Sequence, residues 1–523
     1  MDSTRYILFI NANDTARHTS SANTAIYPNL GLLTLMSAVR PRLVGTDLRV
    51  GYFDGTLHGN PALEAFIEAK ADQIAALCFS TLTANYGASI TMAKRAKALN
   101  PETLVVLGND HFSALYERIM ANQPVVDYGF HGNDVVEGFA DFITDVLTGT
   151  TRPGMDYPGL VHRDAAGTVH CQPEDPTEYH RLPLVDYSLT DTLMPHAPRY
   201  LDGQRQVYFF MRDREFNSQV IDIGRGCVKF AGERLEGVPL NACDFCGIIP
   251  GSKEITMPEA ARAWAIIENA WRQGFNYLYV TADELPLTMW RMLRNMAANQ
   301  PTWYQSLPVG DRPKMFGYAR AEAFATGPDR IDLLVNQLGL DHFFIGFDGL
   351  SDLSLRVMNK QPVGGRGRAD RPMEHNLRAL DGVIKRGGMI TAGLVLTHLG
   401  ITADIMAANH AELTRIVDST PRTFAALDFG PLCPIPGSQS FRYLTHPTYA
   451  ARRAASFGLV VNQDYLEARA AFYRTADELD MDQMIGDFVT GCCPKIDMDT
   501  VEEYISKTGD LANRHGIVIG GGV

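Results

Sequence analysis

Short apolar runs alternate with amphipathic helical stretches twice along this chain, and that rhythm constrains its fold more than any other feature. Strand-like runs fall first at 6–11, 48–53, 73–79, 103–107 and 125–130, with helical patterns at 31–39, 61–70, 84–99, 112–122 and 135–147. This alternation builds a parallel sheet wound with helices on both faces. Ligands of such sheets bind outside the carboxyl ends of the strands. The segments there are 11–14, 54–56, 80–83, 108–111 and 132–134, and all are small and polar. Ser80, Thr81, Gly108, His111 and Gly132 are therefore candidate ligand contacts. The glycine fingerprint of dinucleotide sites is absent, which disfavours NAD.

A connector with a hairpin at 159–163 and 168–172 leads into a second series. Its strands are expected at 220–223, 277–281, 314–318, 342–346, 391–396 and 423–429. Helices are expected at 258–273, 286–299, 328–338, 373–386 and 403–418. Six units make a partial β/α barrel, since a closed barrel of eight takes about 250 residues. The tail reads as mostly helical, at 449–457, 465–479 and 501–514. The expected division is a Rossmann-like, doubly wound α/β sheet over 1–150, a connector over 151–219, a partial (β/α)6 barrel over 220–436 and a helical region over 437–523.

A net charge of -13 argues against a nucleic-acid footprint. No apolar stretch has membrane-spanning length, and Met-Asp-Ser-Thr-Arg leads directly into the first strand without a signal-peptide core. Eight cysteines in 523 residues are not a disulfide scaffold, so a reducing cytoplasm is the expected location. Three of the eight carry metal-ligand spacing: Cys227 ends Ile-Asp-Ile-Gly-Arg-Gly-Cys, and Cys243 and Cys246 bracket Cys-Asp-Phe-Cys. Three sulfur ligands without a nearby fourth favour an iron–sulfur cluster with one open iron. Zinc remains open, but a structural zinc site closes on four ligands. Replacement of Cys227 by Cys433, Cys492 or Cys493 also remains open.

These motifs, in this order, resemble the cobalamin-binding radical S-adenosylmethionine (SAM) enzymes over about 430 residues. Pro28-Asn-Leu-Gly-Leu-Leu is similar to an early P-x-L-G-L-L helix start. Val105-Val-Leu-Gly-Asn-Asp-His-Phe-Ser resembles V-V-x-G-G-x-H-x-S, and Val126-Asp-Tyr-Gly-Phe-His-Gly-Asn-Asp resembles V-D-x-V-x-x-G-E-x-E. Gly224-Arg-Gly-Cys with Cys243-Asp-Phe-Cys resembles R-G-C-x3-C-x-F-C, although fifteen residues separate the first two cysteines here. A longer loop closes at little extra entropic cost, so the sulfurs can still converge. Val280-Thr-Ala-Asp-Glu stands in the place of a Gly-Gly-Glu strand end, and Gly317-Tyr-Ala-Arg resembles the next strand's A-R motif. Phe344-Ile-Gly-Phe-Asp-Gly-Leu-Ser, with Leu355 and Asn359-Lys360, resembles I-G-x-E-S…L…N-K, with Asp348 replacing Glu. Gly393-Leu-Val-Leu-Thr-His matches an adenosine-lining segment.

The resemblance implies a [4Fe-4S] cluster on Cys227, Cys243 and Cys246. It implies SAM near Asp283, Glu284, Arg320 and Asp348, and cobalamin over the first sheet near Asn29, Leu30, Ser80, Thr81, Gly108, His111 and Gly132. Methylcobalamin would then supply a methyl group to an unactivated carbon, or a phosphinate phosphorus, of a small-molecule biosynthetic intermediate. The implied partners are that substrate and an electron donor such as flavodoxin or ferredoxin, with neither nucleic acid nor membrane. A non-methylating radical enzyme and a metal-stabilised cobalamin-binding module are the alternatives. Several residues have plainer readings. Asp283 and Glu284 suit a helix start, and Arg320 with Asp348 suits a structural pair. His111 directly follows Asp110, so the D-x-H-x-x-G signature of histidine-ligated cobalamin is missing. The basic loop Gly364-Gly-Arg-Gly-Arg, with Arg371, suits an anionic substrate if it is functional. Cys492-Cys493 either faces the site or is inert.

Overall fold

Two parallel sheets organise the computed structural model of the chain. It describes residues 4–13, 27–175, 179–207, 217–230, 234–235, 238–239, 241–247, 255–327, 329–362 and 371–520. The first sheet contains β1 (Arg5–Asn11), β2 (Leu48–Asp54), β3 (Ile74–Ser80), β4 (Leu104–Gly108) and β5 (Tyr128–Phe130), all parallel. The hairpin β6 (Leu160–Arg163) and β7 (Val169–Cys171) continues it antiparallel, in the order β2-β1-β3-β4-β5-β6-β7. All seven residues of β3 are buried, as a central parallel strand covered on both faces requires. The winding direction reverses between β1 and β3, and the crevice at such a switch point is where a doubly wound sheet takes its ligand.

The second sheet begins with β8 (Ser218–Ile221). Four two-residue strands follow: β9 (Arg225–Gly226), β10 (Arg234–Leu235), β11 (Val238–Pro239) and β12 (Ile255–Thr256). β9 pairs with β12 and β10 with β11, both antiparallel. The sheet then takes β13 (Tyr277–Val280), β14 (Lys314–Ala319), β15 (Leu340–Asp348), β16 (Met389–Val395), β17 (Phe424–Gly430) and β18 (Val518–Ile519). β8 and β13–β17 stand side by side in chain order, every pair parallel, which is the arrangement of a half-barrel.

Some elements differ from the sequence pattern for local reasons. β5 is short because Val126 N–H turns back to the Gln123 carbonyl. The helix expected from 286 starts at Trp290, because the Glu284 carboxylate holds the amides of Leu287 and Thr288 in a preceding turn. The stretch 329–337 is a single α turn followed by a π turn. Helices Ala197–Val207, Gln439–Thr445 and Met481–Cys492 were not expected. The last is capped by Asp480, whose side chain accepts from Gln483 N–H. β18 adds a seventh strand to the half-barrel, pairing parallel with β17. The basic loop at 364–368 and residues 521–523 lie outside the described residues.

The C-terminal helices dock on the first domain through shared apolar packing, through Arg118, which donates to the Tyr473 carbonyl at 2.9 Å, and through Asp477. The Asp477 carboxylate accepts from Tyr86 Oη at 2.8 Å, Asn122 Nδ2 at 2.8 Å and Gln123 Nε2 at 2.9 Å. Truncating it strands two buried donors, those of Tyr86 and Gln123. Asp477→Ala is expected to lower unfolding free energy by about 2–4 kcal/mol, read from urea denaturation. An unchanged midpoint would remove this joint from the account of docking.

Candidate functional site

A cavity of about 420 Å³ opens over the carboxyl ends of β3, β4 and β5 of the first sheet. Asn29, Leu30, Ser80, Gly108 and Gly132 line it from that sheet, and Asp222, Arg225, Thr281 and Asp283 from the second. Local bonding fixes the polar walls. Asn29 caps the helix Leu30–Val39, its Oδ1 accepting from Leu32 N–H. Its Nδ2 donates to Ser80 Oγ at 2.9 Å, as does Asn109 Nδ2. Gly132 has φ +90°, and a Cβ there would lie 1.9 Å from a Glu174 carboxylate oxygen, so only glycine fits.

The other first-sheet candidates are not in the cavity. Thr81 is fully buried and donates through Oγ1 to the Gly108 carbonyl at 2.7 Å. His111 is also buried: Nδ1 meets Thr83 Oγ1 at 3.1 Å, and Nε2 donates to the Asp477 carbonyl at 2.9 Å. Burial pushes its pKa down to about 4, so it is a neutral structural bridge. The residue that does reach the cavity is its neighbour Asp110. Burial first, and then the charge of Asp283 facing it, raise the Asp110 carboxyl to about 6.

The three cysteines gather in one small cluster. Cys227 packs with Phe230, Ala242 and Cys246, and Cys246 N–H turns back to the Cys243 carbonyl at 3.0 Å. Part of the fifteen-residue excursion is the β10–β11 ribbon, which accommodates its length. Asn359 Nδ2 donates to the Ala242 carbonyl at 2.7 Å, and Asp244 N–H donates to the Met358 carbonyl at 3.0 Å. Behind Asp244 stands Tyr443, whose hydroxyl donates to its carboxylate. Arg320 is buried, and its Nη1 donates to Cys243 Sγ at 3.5 Å, while its Nε has no partner. Burial pushes the Cys227 thiol up to about 12. Among the described residues no three His, Cys, Asp or Glu side chains are grouped tightly enough to hold one ion. A cubane places each thiolate on a different iron, so its ligands stand farther apart than those of a single ion.

The remaining candidates are engaged by the protein itself. Glu284 is 1% exposed; its oxygens accept from Leu287 N–H, Thr288 N–H and Thr288 Oγ1, as a cap does. Arg320 pairs with Glu322 at 2.9 Å and Asp348 with Lys360 at 2.5 Å, so the two do not pair with each other. Asp283 is the exception: its Oδ2 accepts from Gly226 N–H at 2.6 Å, and it also lines the cavity. Cys492 and Cys493 are fully buried, and Cys493 Sγ donates to the His398 carbonyl at 3.2 Å. Buried thiols of this kind are inert.

The same architecture occurs in solved structures. One is the radical SAM methyltransferase TsrM from Kitasatospora setae, with cobalamin and a [4Fe-4S] cluster bound. It is 16% identical with a TM-score of 0.56, over 83% of this chain and 74% of that one. Another is the cobalamin-dependent SAM radical enzyme OxsB with aqua-cobalamin bound, 14% identical with a TM-score of 0.56, over 79% of this chain. This chain has the fold of the cobalamin-dependent radical SAM enzymes. It spans 52% of the OxsB chain. No family model and no curated protein matches its sequence. Among the described residues no helix is long and apolar enough to cross a membrane.

Asp110 gives a pH test of the cavity wall. A carboxyl raised from its ordinary value to about 6 favours folding while protonated in the native state, and that contribution is lost as pH rises towards 6. Asp110→Asn is therefore expected to stabilise the chain by about 1–3 kcal/mol at neutral pH. The gain should vanish as pH falls towards the ordinary carboxylate range. Thermal melts across that range check it, and a pH-independent difference would contradict it.

Proposed function

We propose that this protein is a cobalamin-dependent radical SAM methyltransferase acting on an unactivated carbon of a small molecule. One observation carries the reading: three cysteines lie near one another beside a buried arginine, next to a cavity walled by both sheets. The donor set fits a thiolate-bound cluster. Arg320 already donates to Cys243 Sγ through Nη1 and keeps a buried, unpartnered Nε, so it offsets thiolate charge where water does not reach. Lys229, also buried, adds a second cation beside Cys243.

Bound together, the cluster, SAM and methylcobalamin supply hydrogen-atom abstraction and a methyl donor, chemistry that no side chain provides. The protein binds, orients and excludes water. Cys227, Cys243 and Cys246 would hold the cluster as thiolates, releasing their protons on loading. Asp283, fixed by the Gly226 amide two residues into the cysteine motif's first strand, would receive the SAM ammonium. Glu284 would support that strand end by closing its turn. Asn29, Ser80, Gly108 and Gly132 would lie against the corrin, where small side chains and fixed amides permit close approach.

Anaerobic reconstitution with iron and sulfide tests this directly. The wild-type chain is expected to take up a [4Fe-4S] cluster and, with SAM and a reductant, release 5′-deoxyadenosine. Cys243→Ala should lose cluster and SAM cleavage together while keeping its fold by circular dichroism. Wild-type protein that incorporates no iron would end the proposal.

A further inference from the structure

The concave face of the half-barrel carries a row of rings that ends on an unpaired carboxylate. Tyr279 Oη donates to Tyr318 Oη at 3.0 Å. Tyr318 and Phe344 are register partners on β14 and β15, with ring centroids 4.8 Å apart. The Phe344 ring lies over Gly393 of β16, where a Cβ would come within 2.5 Å of it. Gly393 pairs in register with Asp428 of β17. Register partners point to the same face of a pleated sheet, so Asp428 stands at the end of the row. Its charge is felt at the Tyr318 hydroxyl.

Asp428 has no hydrogen-bond or ion-pair partner among the described residues, although burial raises its carboxyl to about 6. The cations near the two sites are already engaged: Arg225 by Asp222 at 2.8 Å, Arg320 by Glu322, Lys360 by Asp348 and Lys229 by the Gln361 carbonyl at 3.1 Å. A half-buried carboxylate at the end of an aromatic wall is matched by an organic cation, because aromatic faces and a carboxylate both attract an ammonium. It is mismatched to the anionic substrate that the basic loop suggested.

We propose that the substrate is a small primary amine whose ammonium pairs with Asp428 while its apolar body lies along Phe344, Tyr318 and Tyr279. This deepens the proposed function by naming the substrate class, and rests on that reading only in calling the occupant a substrate. The test uses two probes of like size and opposite charge, 2-phenylethylamine and 3-phenylpropionate, titrated into the reconstituted full chain with ligand-detected NMR. The amine should bind saturably and the acid at least tenfold more weakly. Asp428→Asn should weaken the amine at least tenfold and leave the acid no worse. The wild-type comparison stands even if the variant fails to fold. Charge-blind binding, preference for the acid, an unaffected Asn variant, or no amine binding to wild type would each overturn the inference. Iron content of the same preparation separates the two claims: amine binding without iron sinks the radical reading, and iron with charge-blind binding sinks this one.

Discussion

The Arg225 guanidinium joins the two halves of the cleft, and the geometry of the site depends on that joint. Its Nε bonds Asp222 at 2.8 Å at the end of β8, and its Nη1 donates to the Asn133 carbonyl at 2.5 Å beyond β5 of the first sheet. Tyr179 Oη completes the group by donating to Asp222 at 3.0 Å. Charge-assisted bonds of this kind are shorter and stronger than neutral ones. They hold the strand ends of both parallel sheets at one cavity. Two residues on, the same segment delivers Cys227, so the cleft and the sulfur cluster are positioned by one short stretch of backbone.

Charge is distributed to match. Cations lie behind the sulfurs, as Arg320 and Lys229, and carboxylates line the cavity and the half-barrel, as Asp110, Asp283 and Asp428. A cluster with thiolate ligands needs the former, and an ammonium group on SAM or substrate suits the latter. On the proposed reading, the protein would separate one negatively charged inorganic site from a region suited to organic cations.

Much of this was legible in the sequence because parallel β/α units follow simple rules. Strand ends predict where an open α/β sheet has its crevice, and Ser80, Gly108, Gly132 and Asp283 line the cavity found there. What the rules do not give is side-chain direction one or two residues past a strand. Asn109 adopts φ +77°, which turns Asp110 into the cavity and His111 away from it. The partner that holds His111 is Asp477, hundreds of residues away, and no local pattern announces it. Glu284 was equally plausible as a ligand or a cap, and the amides of Leu287 and Thr288 engage it as a cap. Arg225 was visible within its motif, but its bond across the sheets required both sheets to be in place. The row from Tyr279 to Asp428 is likewise a product of register, formed by residues from five strands.

The account stands on three sulfurs sharing one inorganic core beside a corrin seated over the carboxyl ends of β3, β4 and β5. An anaerobic crystal structure of the chain loaded with iron, sulfide and hydroxocobalamin measures both at once. The account predicts a cubane ligated by Cys227, Cys243 and Cys246 with one iron open to solvent, and a corrin against Ser80, Gly108 and Gly132. A lone tetrahedral zinc on these cysteines, or a corrin bound elsewhere, would contradict it.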